Sequence, residues 1–248
     1  MTEGRGYLPV SPGSAGQNRL FCFHHAGGAA SSFHALRRAL APAVDVLPVQ
    51  LPGRERRIRE TPFTDIEALI DDLEPALAPE LYGRYAFYGH SMGALVAHDL
   101  IRRLRSRGAV LPTALVAGAC PAPHLQLAVT AFAELPDHRL RSWMVELGGM
   151  SDQLLAYPEW AEAATSLLRA DLQVCLSRNP QDDDPLPVPI HVLAGTDDPL
   201  TRDSEVASWA SHSSVGCEVI PVVGGHFFNR ESPVLFHDLL ASVLERAL

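Results

Sequence analysis

Residues 85–93, Tyr-Ala-Phe-Tyr-Gly-His-Ser-Met-Gly, set a serine between two glycines at the end of an apolar run, and Ala94-Leu95-Val96-Ala97-His98 continues at once in a helical pattern. A serine at a sharp strand-to-helix turn is lifted clear of the sheet, and Gly89 and Gly93 remove the Cβ atoms that would clash around it. The turn also aims the first amides of the helix at the point where negative charge would develop on a carbonyl oxygen. Ser91 is therefore expected to act as a nucleophile. In this turn architecture the acid and then the histidine follow the serine along the chain.

Both partners are available downstream. Ile190-His191-Val192-Leu193-Ala194 reads as a strand and ends in Gly195-Thr196-Asp197-Asp198-Pro199, which puts carboxylates at a strand's C-terminal end. Cys217–Val222 reads as the next strand and leads into Gly224-Gly225-His226. Of the 11 histidines, only His226 combines a preceding strand with a glycine-rich loop, so it is expected to be the general base. Asp198 is the preferred acid, because its place before Pro199 suits a tight turn that carries the carboxylate back toward His226; Asp197 is the alternative. The acid would fix the imidazole tautomer and stabilise the imidazolium. Leu20-Phe21-Cys22-Phe23 reads as an earlier strand, followed by His24-His25-Ala26-Gly27-Gly28. The backbone amides of Ala26 and Met92 are the natural pair of oxyanion donors. Adjacent histidines such as His24 and His25 cannot easily share one metal from one strand end, and no Cys or carboxylate cluster accompanies them, so no metal is expected.

These residues need a frame. Strand-like runs at 19–23, 44–49, 85–89, 114–118, 190–194 and 217–222 alternate with helical patterns at 31–40, 65–78, 92–107, 203–210 and 233–247. Such alternation predicts an α/β fold, a mostly parallel sheet with helices on both faces and ligands bound beyond the strands' C-terminal ends. All the candidate residues fall at those ends. From 121 to 189 no strand pattern is evident, whereas 132–147 and 160–176 carry apolar residues at helical spacing. The expectation is one domain over 1–248 with a helical lid insertion at about 121–189, hinged at Gly148-Gly149 and at Asn179-Pro180 before the acidic run Asp182-Asp183-Asp184.

Composition narrows the function classes. The 248 residues are 47% hydrophobic with a formal net charge of −9 and a pI near 5.6, which argues against nucleic acid or an anionic membrane surface as partner. No run approaches the ~18 uninterrupted apolar residues of a membrane span. The four cysteines, at 22, 120, 175 and 217, lack paired spacing and suit a reducing compartment. Residues 1–18 are rich in Gly and Ser and hold no apolar segment, so a soluble cytoplasmic protein with a frayed leader is expected, and nothing demands more than a monomer. Arg102, Arg103, Arg105 and Arg107 read as cations at a helix C-terminus before Gly108. Arg54, Arg56, Arg57 and Arg59 crowd the loop after Leu51-Pro52-Gly53, where they could receive phosphate or an acidic partner.

Assembled, the chain resembles a type II thioesterase, the stand-alone editing hydrolase that accompanies polyketide and nonribosomal peptide synthases. The resemblance spans nearly the whole chain. Besides Gly-His-Ser-Met-Gly it rests on Phe23-His24-His25-Ala26-Gly27-Gly28, Gln50-Leu51-Pro52-Gly53-Arg54-Glu55, Glu146-Leu147-Gly148-Gly149, Leu168-Arg169-Ala170-Asp171-Leu172 and Gly225-His226-Phe227. The family commonly has Pro where His24 stands. The resemblance implies an α/β-hydrolase fold and hydrolysis of acyl groups from the phosphopantetheine arm of acyl or peptidyl carrier proteins, through an acyl-serine. It implies no metal or organic cofactor, since the substrate carries the phosphopantetheine. Carrier proteins are generally acidic, and Arg54, Arg56 and Arg57 are the candidates to dock one. The alternatives are a carboxylesterase or lipase on oxygen esters, an inactive scaffold that binds carrier protein, and an excised cyclising domain. The chain's start at Met1, with no linker-like segment, favours a free-standing protein.

Overall fold

The computed structural model describes residues 6–13, 18–125, 128–179 and 184–248. Within them the strands β1 (Asn18–Phe23), β2 (Val44–Pro48), β3 (Tyr85–His90), β4 (Leu115–Gly118), β5 (Ile190–Gly195) and β6 (Cys217–Val222) lie in the spatial order β2-β1-β3-β4-β5-β6. Every pairing is parallel. The expected strands are thus found to within a residue of their ends, in the expected α/β arrangement. Along each inner strand, alternate residues enter different cores, as the two-residue period requires. Phe21, Leu47, Phe87, Leu115 and Ile190, which face one another in register, pack toward α2 (Ile66–Leu77) and α3 (Met92–Ser106). Leu20, Val46, Ala86, Val116 and Leu193 pack toward α1 (His34–Leu40) and α9 (Pro233–Ala247). A strand covered on both faces reads as a continuous apolar run, and for this reason the central strands are legible in the sequence. Helix α2 is started by Asp65, whose side chain accepts from the Ala68 amide at 2.9 Å.

Between β4 and β5 the chain forms α4 (Asp137–Glu146), the short α5 (Asp152–Leu155) and α6 (Pro158–Ser177); after β5 comes α7 (Asp203–Ala207), and after β6 the short α8 (Phe228–Glu231). Helix α6 belongs to two cores. Leu168 and Leu172 join Ala133, Leu140 and Met144, whereas Val174 and Cys175 enter the main core beside the sheet. Just beyond α6, Arg178 binds both carboxylate oxygens of Asp99 on α3, at 2.8 and 2.9 Å, so the C-terminal half of α6 is fastened to the body. Gly148, at φ +82°, ends α4 in the left-handed turn that glycine favours. A Cβ on Gly149 would come within 2.3 Å of Met144 and 3.0 Å of Phe227. This pair is therefore a helix terminator packed on the residue after His226. Pro180, Asp182 and Asp183 lie outside the described residues. The arginines that close α3 do more than face its C-terminus: Arg103 pairs with Glu67 and Asp71 of α2, and Arg107 with Glu74 at 3.1 Å.

Candidate active site

Strand β3 ends in a turn that few side chains could occupy. Ser91 sits at φ +53° and ψ −119°, a positive-φ conformation that lies outside the left-handed helical region. A Cβ on Gly89 would lie 2.2 Å from the Gly93 carbonyl oxygen, and a Cβ on Gly93 would lie 2.1 Å from that of Phe23. Close approach, rather than glycine φ, is what demands both glycines. Ser91 occupies the N-cap position of α3, yet its side chain makes no capping hydrogen bond, which leaves Oγ available for chemistry.

The acid and base meet at the ends of β5 and β6. A Cβ on Gly195 would stand 2.4 Å from the Gly225 carbonyl oxygen, so these strand ends can touch only because residue 195 is glycine. His226 Nδ1 lies 2.9 Å from Asp198 Oδ2, with both side chains buried. A carboxylate only accepts, so Nδ1 carries a hydrogen and Nε2 is the nitrogen left to exchange a proton with the serine. The other Asp198 oxygen accepts from the Leu200 amide at 2.8 Å, across the turn made by Pro199. Asp197 is exposed, and its carboxylate accepts from Thr196 Oγ1. Of the two adjacent carboxylates, the structure brings Asp198 to the imidazole.

His90 connects this pair to the serine turn. Its Nε2 donates to the His226 carbonyl oxygen at 2.8 Å, which leaves Nδ1 to accept from the Tyr88 hydroxyl at 2.9 Å. The His90 and His226 rings are 5.7 Å apart, so the imidazole of 226 lies beside the turn that carries Ser91. Burial, and then the neighbouring charge of His226, hold the His90 pKa down to about 3, and the ring is neutral. Sequence reasoning did not single out Tyr88 and His90. Their spacing of two in a strand puts both on one face of β3, and that signal could have found them.

The loop after β1 supplies the other donor. The Gly27 amide is bound to Asp171 Oδ2 at 2.7 Å and the Gly28 amide to the His25 carbonyl at 2.9 Å. The Ala26 amide has no acceptor among the described residues, and the Met92 amide, first in α3, has none within its helix. His24 donates from Nδ1 to the His25 carbonyl at 2.9 Å, and burial followed by the charge of Arg54 lowers its pKa to about 4. His25 accepts at Nε2 from Arg230 at 3.1 Å and packs edge-on against Phe227.

Two of the three arginines expected to dock a partner do not face solvent. Arg54 is 5% exposed and holds Asp171 through two hydrogen bonds, of 2.7 and 2.8 Å. Arg57 is 7% exposed, binds Glu60 at 2.6 and 2.8 Å, and covers the Tyr7 ring at 4.1 Å. Both guanidiniums are committed to internal partners and cannot receive a carrier. Arg56 is exposed, with a hydrogen bond to the Pro9 carbonyl at 3.2 Å.

An uncapped serine hydroxyl, an imidazole with a free nitrogen, a buried carboxylate and unoccupied amides are the groups that acyl transfer requires. A family model described as Thioesterase domain matches residues 18–243. The chain is 34% identical over 232 residues to Linear gramicidin dehydrogenase LgrE of Brevibacillus parabrevis, across 92% of this chain and 88% of that protein. It is 32% identical to Thioesterase PikA5 of Streptomyces venezuelae, across 93% of this chain and 81% of that protein. Among solved structures it resembles RedJ, the thioesterase from the prodiginine biosynthetic pathway in Streptomyces coelicolor, at 34% identity and a TM-score of 0.85, across 97% of this chain and 96% of that one.

Proposed function

The chain belongs to the thioesterase-domain family, and from that premise we propose that it removes stalled or misprimed acyl groups from the phosphopantetheine arm of carrier proteins in polyketide or nonribosomal peptide synthesis. The single observation that carries this reading is the Ser91 turn, positive in φ and uncapped, beside a buried pair of Asp198 and His226.

In the first step His226 Nε2 takes the Ser91 Oγ proton as Oγ bonds to the thioester carbonyl carbon, and the charge on that oxygen is received by the Ala26 and Met92 amides. The carbon–sulfur bond then breaks, and the thiolate leaves with the proton returned by His226. A thiolate is a good leaving group, so this protonation matters less than it does for an amine. In the second step His226 deprotonates a water that attacks the acyl-serine, and the free acid and the serine hydroxyl are released. These steps call on no metal or organic cofactor, since the pantetheine arm arrives with the substrate.

The helices between β4 and β5 serve in this reading as a lid on a single domain of 248 residues. No helix among the described residues is long and apolar enough to cross a membrane. Action in the cytoplasm fits the described thiols, which are free. Of the arginines considered for docking, Arg56 keeps an exposed charge for an acidic carrier.

The test is intact-mass analysis of the protein after mixing with a panel of acylated carrier proteins. Expected are the deacylated carrier and a transient acyl adduct that is absent in Ser91→Ala. Faster turnover of the matching oxygen ester than of the acyl-pantetheine thioester would move the assignment to an esterase, and an inert wild type would move it to a binding scaffold.

A further inference from the structure

Asp171 of α6 accepts three hydrogen bonds, two from Arg54 and one from the amide of Gly27, and Arg54 Nη1 also donates to the Gly28 carbonyl at 3.1 Å. Arg54 Nε is held by the Pro52 carbonyl at 3.0 Å. The loop after β1, the loop after β2 and helix α6 therefore converge on one ion pair that is almost wholly buried. Apolar contacts close the same joint. Leu168 stands 3.5 Å from the position of a Cβ on Gly27, and Leu167 stands 3.1 Å from that on Gly53. Gly27, at φ +74°, and Gly53, at φ +82°, form the turns these two leucines cover.

A buried ion pair rarely adds net stability, because the cost of removing both charges from water offsets their attraction. This pair has a more specific effect. It holds the amide of Gly27 and the carbonyl of Gly28, so the peptide that follows Ala26 is fixed while the Ala26 amide is left open. We propose that Arg54 and Asp171 are positioning residues that hold the Ala26 amide in place as oxyanion donor and make its placement depend on the seating of α6. The inference rests on the acyl-serine reading above. It gives the buried arginine of the loop after β2 a role that docking cannot.

The decisive comparison is wild type against Asp171→Asn and against the double variant Arg54→Met/Asp171→Leu. An apolar replacement of a buried pair is often neutral or stabilising, so the double variant separates loop placement from folding. Three readouts are taken: kcat and KM on an acyl-pantetheine thioester, affinity for the trifluoromethyl ketone of the same acyl chain, and amide hydrogen exchange over residues 24–28. In the ketone adduct Ser91 Oγ bonds to the carbonyl carbon, its proton passes to His226, and the ketone oxygen becomes an oxyanion that needs the same donors. For the double variant, kcat should fall by about 10²-fold with KM nearly unchanged, the scale of losing one oxyanion donor. Ketone affinity should fall by the same factor as kcat/KM, exchange over 24–28 should accelerate, and a cooperative melt well above the assay temperature should show that the variant is folded when it is assayed. A double variant with wild-type kcat, ketone affinity and exchange overturns the proposal. So does a loss in Asp171→Asn that tracks melting temperature and disappears in the double variant, which marks a merely structural pair. An inert wild type strikes the proposed function instead, and in that case exchange over 24–28 still decides whether the pair orders the loop.

Discussion

His90 donates from Nε2 to the main-chain oxygen of His226 at 2.8 Å, so the residue before the nucleophile holds the backbone of the residue offered as base. Three strand ends thereby act as one unit. His90→Phe would leave that carbonyl and the Tyr88 hydroxyl buried without partners, at a cost of roughly 1–3 kcal/mol each. The expected outcome is a lower melting temperature together with about a tenfold loss of kcat, and His90→Gln, whose amide can still donate, should recover most of the activity. Full kcat in the phenylalanine variant would mean that the carbonyl contact does not set the imidazole's position.

The adjacent carboxylates should separate cleanly. Asp198→Asn presents an amide to His226 Nδ1 and favours the wrong tautomer, a change expected to lower kcat by on the order of 10³–10⁴. Asp197→Asn alters an exposed turn residue and should leave kcat within about twofold of wild type. Steady-state kinetics on one acyl thioester checks both, and equal losses would remove Asp198 from its role.

Strain at Ser91 predicts an inverse relation between activity and stability. Alanine at 91 keeps the positive-φ cost, whereas glycine adopts φ +53° freely. Both variants should fail to form the acyl adduct, and Ser91→Gly should be the more stable by roughly 1 kcal/mol. For a chain of this size that corresponds to about 2–4 °C in calorimetry.

Acid should weaken the fold from about pH 6.5 downward, through its buried histidines. The pKa of His24 is lowered to about 4 and that of His90 to about 3, in both cases first by burial, from an ordinary value of 6.5. The unfolded chain therefore takes up protons first. The stability due to the neutral rings is complete above pH 6.5 and is lost as pH falls from there toward 4 and 3 respectively. Each ring contributes a slope of up to about 1.4 kcal/mol per pH unit. Urea midpoints between pH 7 and 4 should show the decline, and His24→Gln should flatten it; an unchanged slope would exclude His24 as a source.

The arginines of the loop after β2 provide a paired test. Arg56→Glu should raise KM for carrier-bound substrate severalfold and leave small thioesters unaffected. Arg57→Glu should instead lower the melting temperature, because it puts a carboxylate against Glu60 and the Tyr7 ring. An equal effect of Arg56→Glu on both substrates would remove it from docking.

Local chemistry made part of this legible in the sequence. Ser91 can be read from flanking glycines and the change of period from strand to helix, and the turn at Pro199 favours Asp198 over Asp197. The roles of Arg54 and Arg57 could not be read in the same way. Four arginines within six residues look alike as a string, and what distinguishes them is tertiary: Arg54 finds its carboxylate 117 residues away. The surroundings of the Gly148-Gly149 pair are hidden for a related reason. Glycines between helices suggest a hinge in a string of letters, but what packs against them, here Met144 and Phe227, is set by the tertiary fold.

Among the described strands, β6 has a single neighbour, β5, and it is the strand that delivers His226. The nucleophile, by contrast, hangs from β3 near the middle of the sheet. Loosening at the rim would take away the proton acceptor long before the centre gives way, so an aged sample could keep its shape in every bulk measurement and still be chemically silent.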